Sequence, residues 1–297
     1  MINPSYRAQV DLLLQVMPHV AKEECFALKG GTAINMFVWD MPRLSVDIDL
    51  TYLSFDDRAT AMANIAAALD RIKERIEKAV PNCSVRLIPQ SDGQETKIIC
   101  QTQNAQIKIE VNTIMRGAVF APEVMDVADA VEEDFGRFVS MNIIHKAELF
   151  GGKICAALDR QHPRDLFDVS RLFETGGITP EIMQGFLIGL LSSQRPIHEM
   201  IRPNFLDQRG VFETQFAGMS KIPFSYEGFE VTRVRLVEEI HAGFTNTDRA
   251  FLLSFKNAEP DWKLFPYDKV KDLPALKWKL FNIETLKAKN PDIAAVV

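Results

Sequence analysis

Residues 26–53 read FALKGGTAINMFVWDMPRLSVDIDLTYL, and the rest of the chain is organised around them. The apolar run from Phe26 to Leu28 reads as a buried strand. Gly30, Gly31 and Thr32 follow at once, and then Ala33, Ile34, Phe37 and Val38 fall at helical spacing. A strand, a tight glycine turn and a helix N-terminus together make a place for phosphate. Glycine lets the backbone approach an anion, and the first free N–H groups of the helix point toward it. Val46-Asp47-Ile48-Asp49-Leu50 then alternates apolar and acidic residues. On a strand Asp47 and Asp49 share one face while Val46, Ile48 and Leu50 face a core. Two carboxylates side by side repel each other unless a cation lies between them, and hard oxygen ligands of this kind suit magnesium.

Length and composition frame this motif. A chain of 297 residues, 47% apolar and 25% charged, has the make-up of an ordinary globular protein and room for two domains. The net charge of −6 argues against a general nucleic-acid coat protein and leaves room for a local basic cleft. The N-terminal residues lack a basic segment ahead of an apolar run, and no apolar run reaches membrane-spanning length, so a cytoplasmic protein without a membrane partner is expected. Cys25, Cys83, Cys100 and Cys155 are scattered and form no C-x-x-C pair, which reads as free thiols rather than a zinc site or disulfide framework.

Along the chain, a helix is expected from about Tyr6 to Val20 and another from Arg58 to Val80, started by a cap within 54–57. Three strands follow, Cys83–Ile88, Thr96–Thr102 and Gln106–Thr113, with turn signals at Ser91-Asp92-Gly93 and Asn104-Ala105. In the last of them Lys108, Glu110 and Asn112 share the face opposite Ile107, Ile109 and Val111. From about Val124 onward the pattern reads as helical throughout. Helices are expected at Met141–Leu158, Pro180–Ser193, Asn204–Phe216, Phe229–Phe244 and Thr247–Phe255. The order gives an α/β sheet of mixed direction followed by a helical half.

The pair Gly30-Gly31 with Thr32, followed sixteen positions after Gly31 by Asp-x-Asp, resembles the nucleotidyltransferase superfamily related to DNA polymerase beta. The wording LKGGTAIN at 28–35 and MPRLSVDIDL at 41–50 is more narrowly similar to the AbiEii/AbiGii (MenT-like) toxin nucleotidyltransferases of bacteria. A second stretch, GGKICAALDRQHPRDLFDV at 151–169, resembles that family's K…R…RD-hydrophobic-x-D signature, and the basic C-terminal run is similar to the family's ending. The resemblance implies an α/β (α+β) fold. A polymerase-beta-like nucleotidyltransferase domain with flanking helices would occupy 1–135, and an α-helical domain carrying Lys153, Asp165 and the acceptor-binding surface would occupy 136–297.

It also implies the chemistry: transfer of a nucleoside monophosphate from an NTP to a hydroxyl, with release of pyrophosphate. Asp47, Asp49 and Glu110 would hold two magnesium ions, with manganese as the alternative, and Glu110 stands where most relatives have Asp. Gly30, Gly31, Thr32 and Ser45 would meet the β and γ phosphates. Lys153 would compensate the leaving pyrophosphate, with Lys146 on the same helix face as a competitor, and Asp165 would orient Lys153 or the nucleotide. Arg43, Arg160 and Arg164 are further phosphate-binding candidates. Phosphorylation of Ser45 would add anions beside the carboxylates and switch the enzyme off. The expected role is the toxin of a toxin–antitoxin or abortive-infection system that modifies the 3′ end of tRNA and blocks translation, with an AbiEi-type antitoxin as partner. Two rivals stand beside it: a nucleotidyltransferase for a small antibiotic or metabolite, and a nucleotide-binding partner module without turnover. The basic tail, with Lys269, Lys271, Lys277, Lys279, Lys287 and Lys289 among Trp262, Tyr267 and Trp278, reads either as an RNA-facing surface or as a solvated helix face with its rings in the core.

Overall fold

A computed structural model of the chain describes residues 4–89 and 95–289. The turn expected at Ser91-Asp92-Gly93 lies outside the described residues. In chain order, α1 (Pro4–Val20) leads into β1 (Phe26–Lys29). The short α2 (Gly30–Ala33) runs on into a π-helical turn, Ile34–Val38, and β2 (Asp47–Tyr52) and α3 (Arg58–Ala79) follow. Then come β3 (Ser84–Pro89), β4 (Glu95–Gln101), β5 (Gln106–Asn112), β6 (Glu123–Asp126), α4 (Asp129–Phe135) and β7 (Ser140–Ile143). The remainder is helical: α5 (Lys146–Arg160), α6 (Pro163–Glu174), α7 (Pro180–Ser192), α8 (Ile197–Ile201), α9 (Arg209–Gln215), α10 (Tyr226–Gly243), α11 (Asn246–Lys256) and α12 (Pro274–Lys289).

The chain groups into two compact units. The first comprises Met1–His145 with Gln208–Tyr226, and the second Lys146–Asp207 with Glu227–Val297. In the first, seven strands form one mixed sheet in the order β3-β4-β5-β2-β1-β7-β6. β2 runs antiparallel to β1 and parallel to β5, and β7 joins the far side of β1 in parallel. The alternation seen in the sequence decides which face is buried. Phe26, Leu28, Ile48, Leu50, Ile98, Ile107, Ile109 and Val111 are all 2% exposed or less, and α1 and α3 pack along these strands. Asp57 starts α3 by accepting hydrogen bonds from the backbone of Ala59 and Thr60. Residues 219–221 strap the segment ahead of β2. Leu44 N donates to Met219 O at 2.9 Å, Lys221 N donates to Pro42 O at 2.8 Å, and Arg43 forms a β-bridge with Ser220.

Two expectations of secondary structure are corrected. The region after Val124 is not helical throughout, because Glu123–Asp126 and Ser140–Ile143 are strands, and Met141–Ile143 therefore belong to β7 rather than to the helix that begins at Lys146. Each strand is only four residues long; β6 is a mostly exposed edge, and the alternation of β7 lasts for two buried residues before the apolar pattern of the next helix begins. The helix expected over Asn204–Phe216 covers only Arg209–Gln215. Pairing of β7 with β1 also carries the sheet past residue 135, so the first unit runs on to His145.

In the helical unit α5 crosses α7 at backbone contact. A Cβ on Gly185 would lie 2.0 Å from the Ala147 carbonyl oxygen, and one on Gly151 would lie 2.2 Å from the Gly185 carbonyl carbon. Gly152, next in sequence, meets nothing within 4 Å. Gly185→Ala should therefore lower the stability measured by denaturant titration by about 2 kcal/mol or more. Gly152→Ala should raise it by roughly 0.5–1 kcal/mol through helix propensity alone.

Candidate active site

Cross-strand register assembles the first group of candidate residues. Lys29 on β1 is paired with Asp49 on β2, Asp49 with Glu110 on β5, and Glu110 with Lys97 on β4. Residues paired across a sheet share a face, so these four side chains form one row over four strands, opposite the apolar face. A second row pairs Asp47 with Lys108. Three acids and three lysines thus stand together on one face of the sheet. Of these, Asp47, Asp49 and Glu110 were singled out from the sequence, and the register brings them together on one face. Lys108 was seen to share the face of Glu110, but Lys29 and Lys97 were missed, because only register places them beside the acids.

The glycine turn fits against this row. Gly30 has φ +74°, in the left-handed region that favours glycine, and a Cβ there would lie 2.8 Å from Asp49 Oδ2. A Cβ on Gly31 would lie 2.7 Å from Arg43 Nη2 and 3.0 Å from Ser45 Oγ. Arg43 is 2% exposed, and its Nη1 donates to Leu44 O at 2.9 Å. The Thr32 hydroxyl donates to Asp47 O at 2.5 Å and shares a hydrogen bond with the Ser45 hydroxyl at 2.9 Å. Asn35 Nδ2 donates to Gly31 O at 2.9 Å. The turn is therefore fixed to the start of β2 by Thr32 and Ser45, with Arg43 packed behind it. Ser45 is only 7% exposed, so a modifying enzyme reaches its hydroxyl only if this segment moves.

Charge on the row is balanced locally. Glu110 takes Lys108 Nζ at 2.7 Å and Lys97 Nζ at 3.4 Å. Burial works against its ionisation, yet the two lysines outweigh burial and hold its pKa below the ordinary value. Asp49 is shifted the other way, first by burial and then by the charge of Asp47, with Lys29 and Lys108 opposing. Asp47 and Asp49 supply oxygen donors on one face beside a backbone turn, a set that suits a hard divalent ion. Among the described residues no three His, Cys, Asp or Glu side chains converge as a ligand cluster. Asp47 and Asp49 are thus the oxygen donors that a hard divalent ion would meet here, while Glu110 is engaged by Lys97 and Lys108.

The second group lies in the helical unit. Lys153 on α5 is 7% exposed, and its Nζ lies 2.7 Å from Asp165 Oδ1 and 3.0 Å from Asp168 Oδ2 on α6. Both carboxylates are buried, at 1% and 0% exposure. Arg160, itself exposed, donates to Asp165 through Nε at 2.6 Å and Nη2 at 3.1 Å. Burial alone would raise the Asp165 pKa, but Lys153 and then Arg160 hold it well below the carboxylate range. Lys146, the competitor to Lys153, is exposed. Asp168 was not singled out from the sequence, although its i+3 spacing from Asp165 was there to be read. In the tail, Lys279 donates to the carbonyls of Leu190 and Arg195 at 3.0 and 2.9 Å, and burial lowers its pKa to about 8. Trp278 is exposed and stacks on Phe281 at 5.7 Å.

Two stability effects follow. Because the folded-state pKa of Asp49 is raised, its ionised form is disfavoured in the fold, and the cost is fully present above that pKa and absent below the unfolded value. Asp49→Asn should raise the melting temperature at pH 7 by roughly 2 °C, a gain that shrinks as the pH falls toward about 4. Lys153→Met removes the ammonium group that meets the buried Asp165 and Asp168, while Arg160 still meets Asp165, and should cost about 3 kcal/mol at pH 7. Denaturation at acid pH should show a smaller loss, since the carboxyls can then take up protons.

Comparison with known proteins bears on this arrangement. The family model described as the nucleotidyl transferase AbiEii toxin of type IV toxin–antitoxin systems matches residues 11–282. A search of curated proteins found no match. Among solved structures, MenT4, a nucleotidyltransferase toxin from Mycobacterium tuberculosis H37Rv, is similar with a TM-score of 0.65 at 12% identity. The likeness covers 94% of this chain and 93% of that one, and so shares its fold. With the family model matched over most of its length, the chain belongs to the AbiEii family of nucleotidyltransferase toxins of type IV toxin–antitoxin systems.

Proposed function

We propose that this nucleotidyltransferase transfers a nucleoside monophosphate from an NTP to the 3′ end of tRNA, so that the modified tRNA no longer serves translation. The observation that carries the reading is the row of Asp47, Asp49 and Glu110 on one sheet face with the Gly30-Gly31 turn packed against Asp49. Asp47 and Asp49, with Glu110, would hold divalent metal, which would stabilise the attacking and leaving oxygens of an in-line displacement. Gly30 and Gly31 present backbone to the β and γ phosphates, with Thr32 and Ser45 beside them. Glu110 would take the proton of the attacking hydroxyl.

In this reading the sheet-bearing unit performs the transfer and the helical unit carries the acceptor surface, in a cytoplasmic protein held in check by an AbiEi-type antitoxin. No helix among the described residues is long and apolar enough to cross a membrane. The test is incubation with magnesium, each α-labelled NTP in turn and total bacterial tRNA, beside Asp49→Ala and beside tRNA whose 3′ diol has been oxidised by periodate. Label should appear on intact tRNA, fall by about 10²-fold or more in the variant, and fail to appear on oxidised tRNA. Absence of label on tRNA with every NTP would overturn the tRNA reading and direct attention to small-molecule acceptors.

A further inference from the structure

The lysines of the acid-bearing face have no part in the scheme above, yet two of them close on a single acid. Lys97 reaches Glu110 from the neighbouring strand, and Lys108 reaches it from two residues earlier on the same strand. All three side chains are about two-thirds buried, at 31%, 33% and 32% exposure, so water screens these pairs less than it does freely exposed ones. Lys29 differs in position. It stands on the far side of Asp49, one strand removed from Glu110. A carboxylate whose charge is met by two ammonium groups is a poor partner for a third cation. A divalent ion must displace the lysines or do without this ligand.

Building on the reading of Glu110 as the third metal-binding acid, we propose that Lys97 and Lys108 are positioning residues for the transfer reaction, holding Glu110 away from the metal until a polyphosphate draws off their charge. A triphosphate carries several negative charges against the single charge of Glu110, so it competes well for both ammonium groups as it arrives. The three-acid site is then completed only together with nucleotide. The free enzyme binds divalent metal through Asp47 and Asp49 alone, and therefore weakly.

The proposal is tested by titrating the full-length protein with Mn2+, without nucleotide, and following free Mn2+ by electron paramagnetic resonance. The proteins are wild type, the Lys97→Met/Lys108→Met pair, Glu110→Gln, and all three changes combined. The lysine pair should bind Mn2+ about fivefold or more tightly than wild type, and Glu110→Gln should abolish that gain in the triple variant. Lys29→Met should give a smaller gain that survives Glu110→Gln. Equal affinity of wild type and lysine pair would overturn the proposal. So would a gain that persists in full in the triple variant, since the lysines would then act only through space. If Glu110→Gln does not weaken binding even in the absence of the lysines, Glu110 is not a metal ligand and the assignment beneath the proposal falls with it. Circular dichroism checks the folding of each variant. Should the double change fail to fold, the same cycle is run with Lys97→Met alone, which leaves the shorter contact from Lys108 intact.

Discussion

The carboxylate of Asp49 occupies the volume that a side chain on residue 30 would need. Much of the first unit follows from that contact. Residue 30 must be glycine both for its positive φ and for this close approach, so β1 ends at Lys29 and the chain turns within one residue into α2. The next residue is glycine for a different neighbour, since the space beside it is taken by the Arg43 guanidinium and the Ser45 hydroxyl. One turn is thus pinned between an anion and a cation, and the hydroxyls of Thr32 and Ser45 tie it to the start of β2. The backbone of this turn is set in place by packing within the chain itself.

The central strands were legible because one face of the sheet is dry and the other charged. VDIDL and IKIEV can alternate only if their apolar residues lie beneath α1 and α3 while their charges face the other way. The outer strands carried no such signal: EVMD lies mostly exposed at an edge, and SMNI runs almost directly into the apolar pattern of α5. Local spacing also shows only neighbours at i and i+2, so a cation between the two acids was read from the sequence while the lysines of other strands were not. Lys108 lies two positions before Glu110 on the same strand, whereas Lys97 and Lys29 come from other strands, 13 positions before Glu110 and 20 before Asp49. No periodicity in a single segment reveals a pairing of that kind.

In the helical unit the motif was legible but its setting was not. Lys153 reads as a charged residue on an amphipathic helix, yet it is enclosed with two aspartates one turn apart on α6. Burial of three charges is tolerable because each has an opposite partner, and that makes the cluster intolerant of losing any one member. The tail divides in a way composition does not disclose. Lys279 is drawn inward to cap the carbonyls at the end of α7, while Trp278, one residue before it, is left exposed against Phe281.

The strap across residues 42–44 bears on how the chain is made. Met219, Ser220 and Lys221 provide the backbone partners for the segment leading to the acids, and Ser220 lies 177 positions beyond Arg43. A ribosome that has already made Asp47, Asp49 and Glu110 has not yet made the piece that secures them. The sheet-bearing unit must wait for about three quarters of the chain to emerge, and for much of the helical unit to be synthesised in between. Interrupted translation products of this toxin therefore carry its acids without their brace. A fragment cut at the end of the first segment, at residue 145, would carry the same defect.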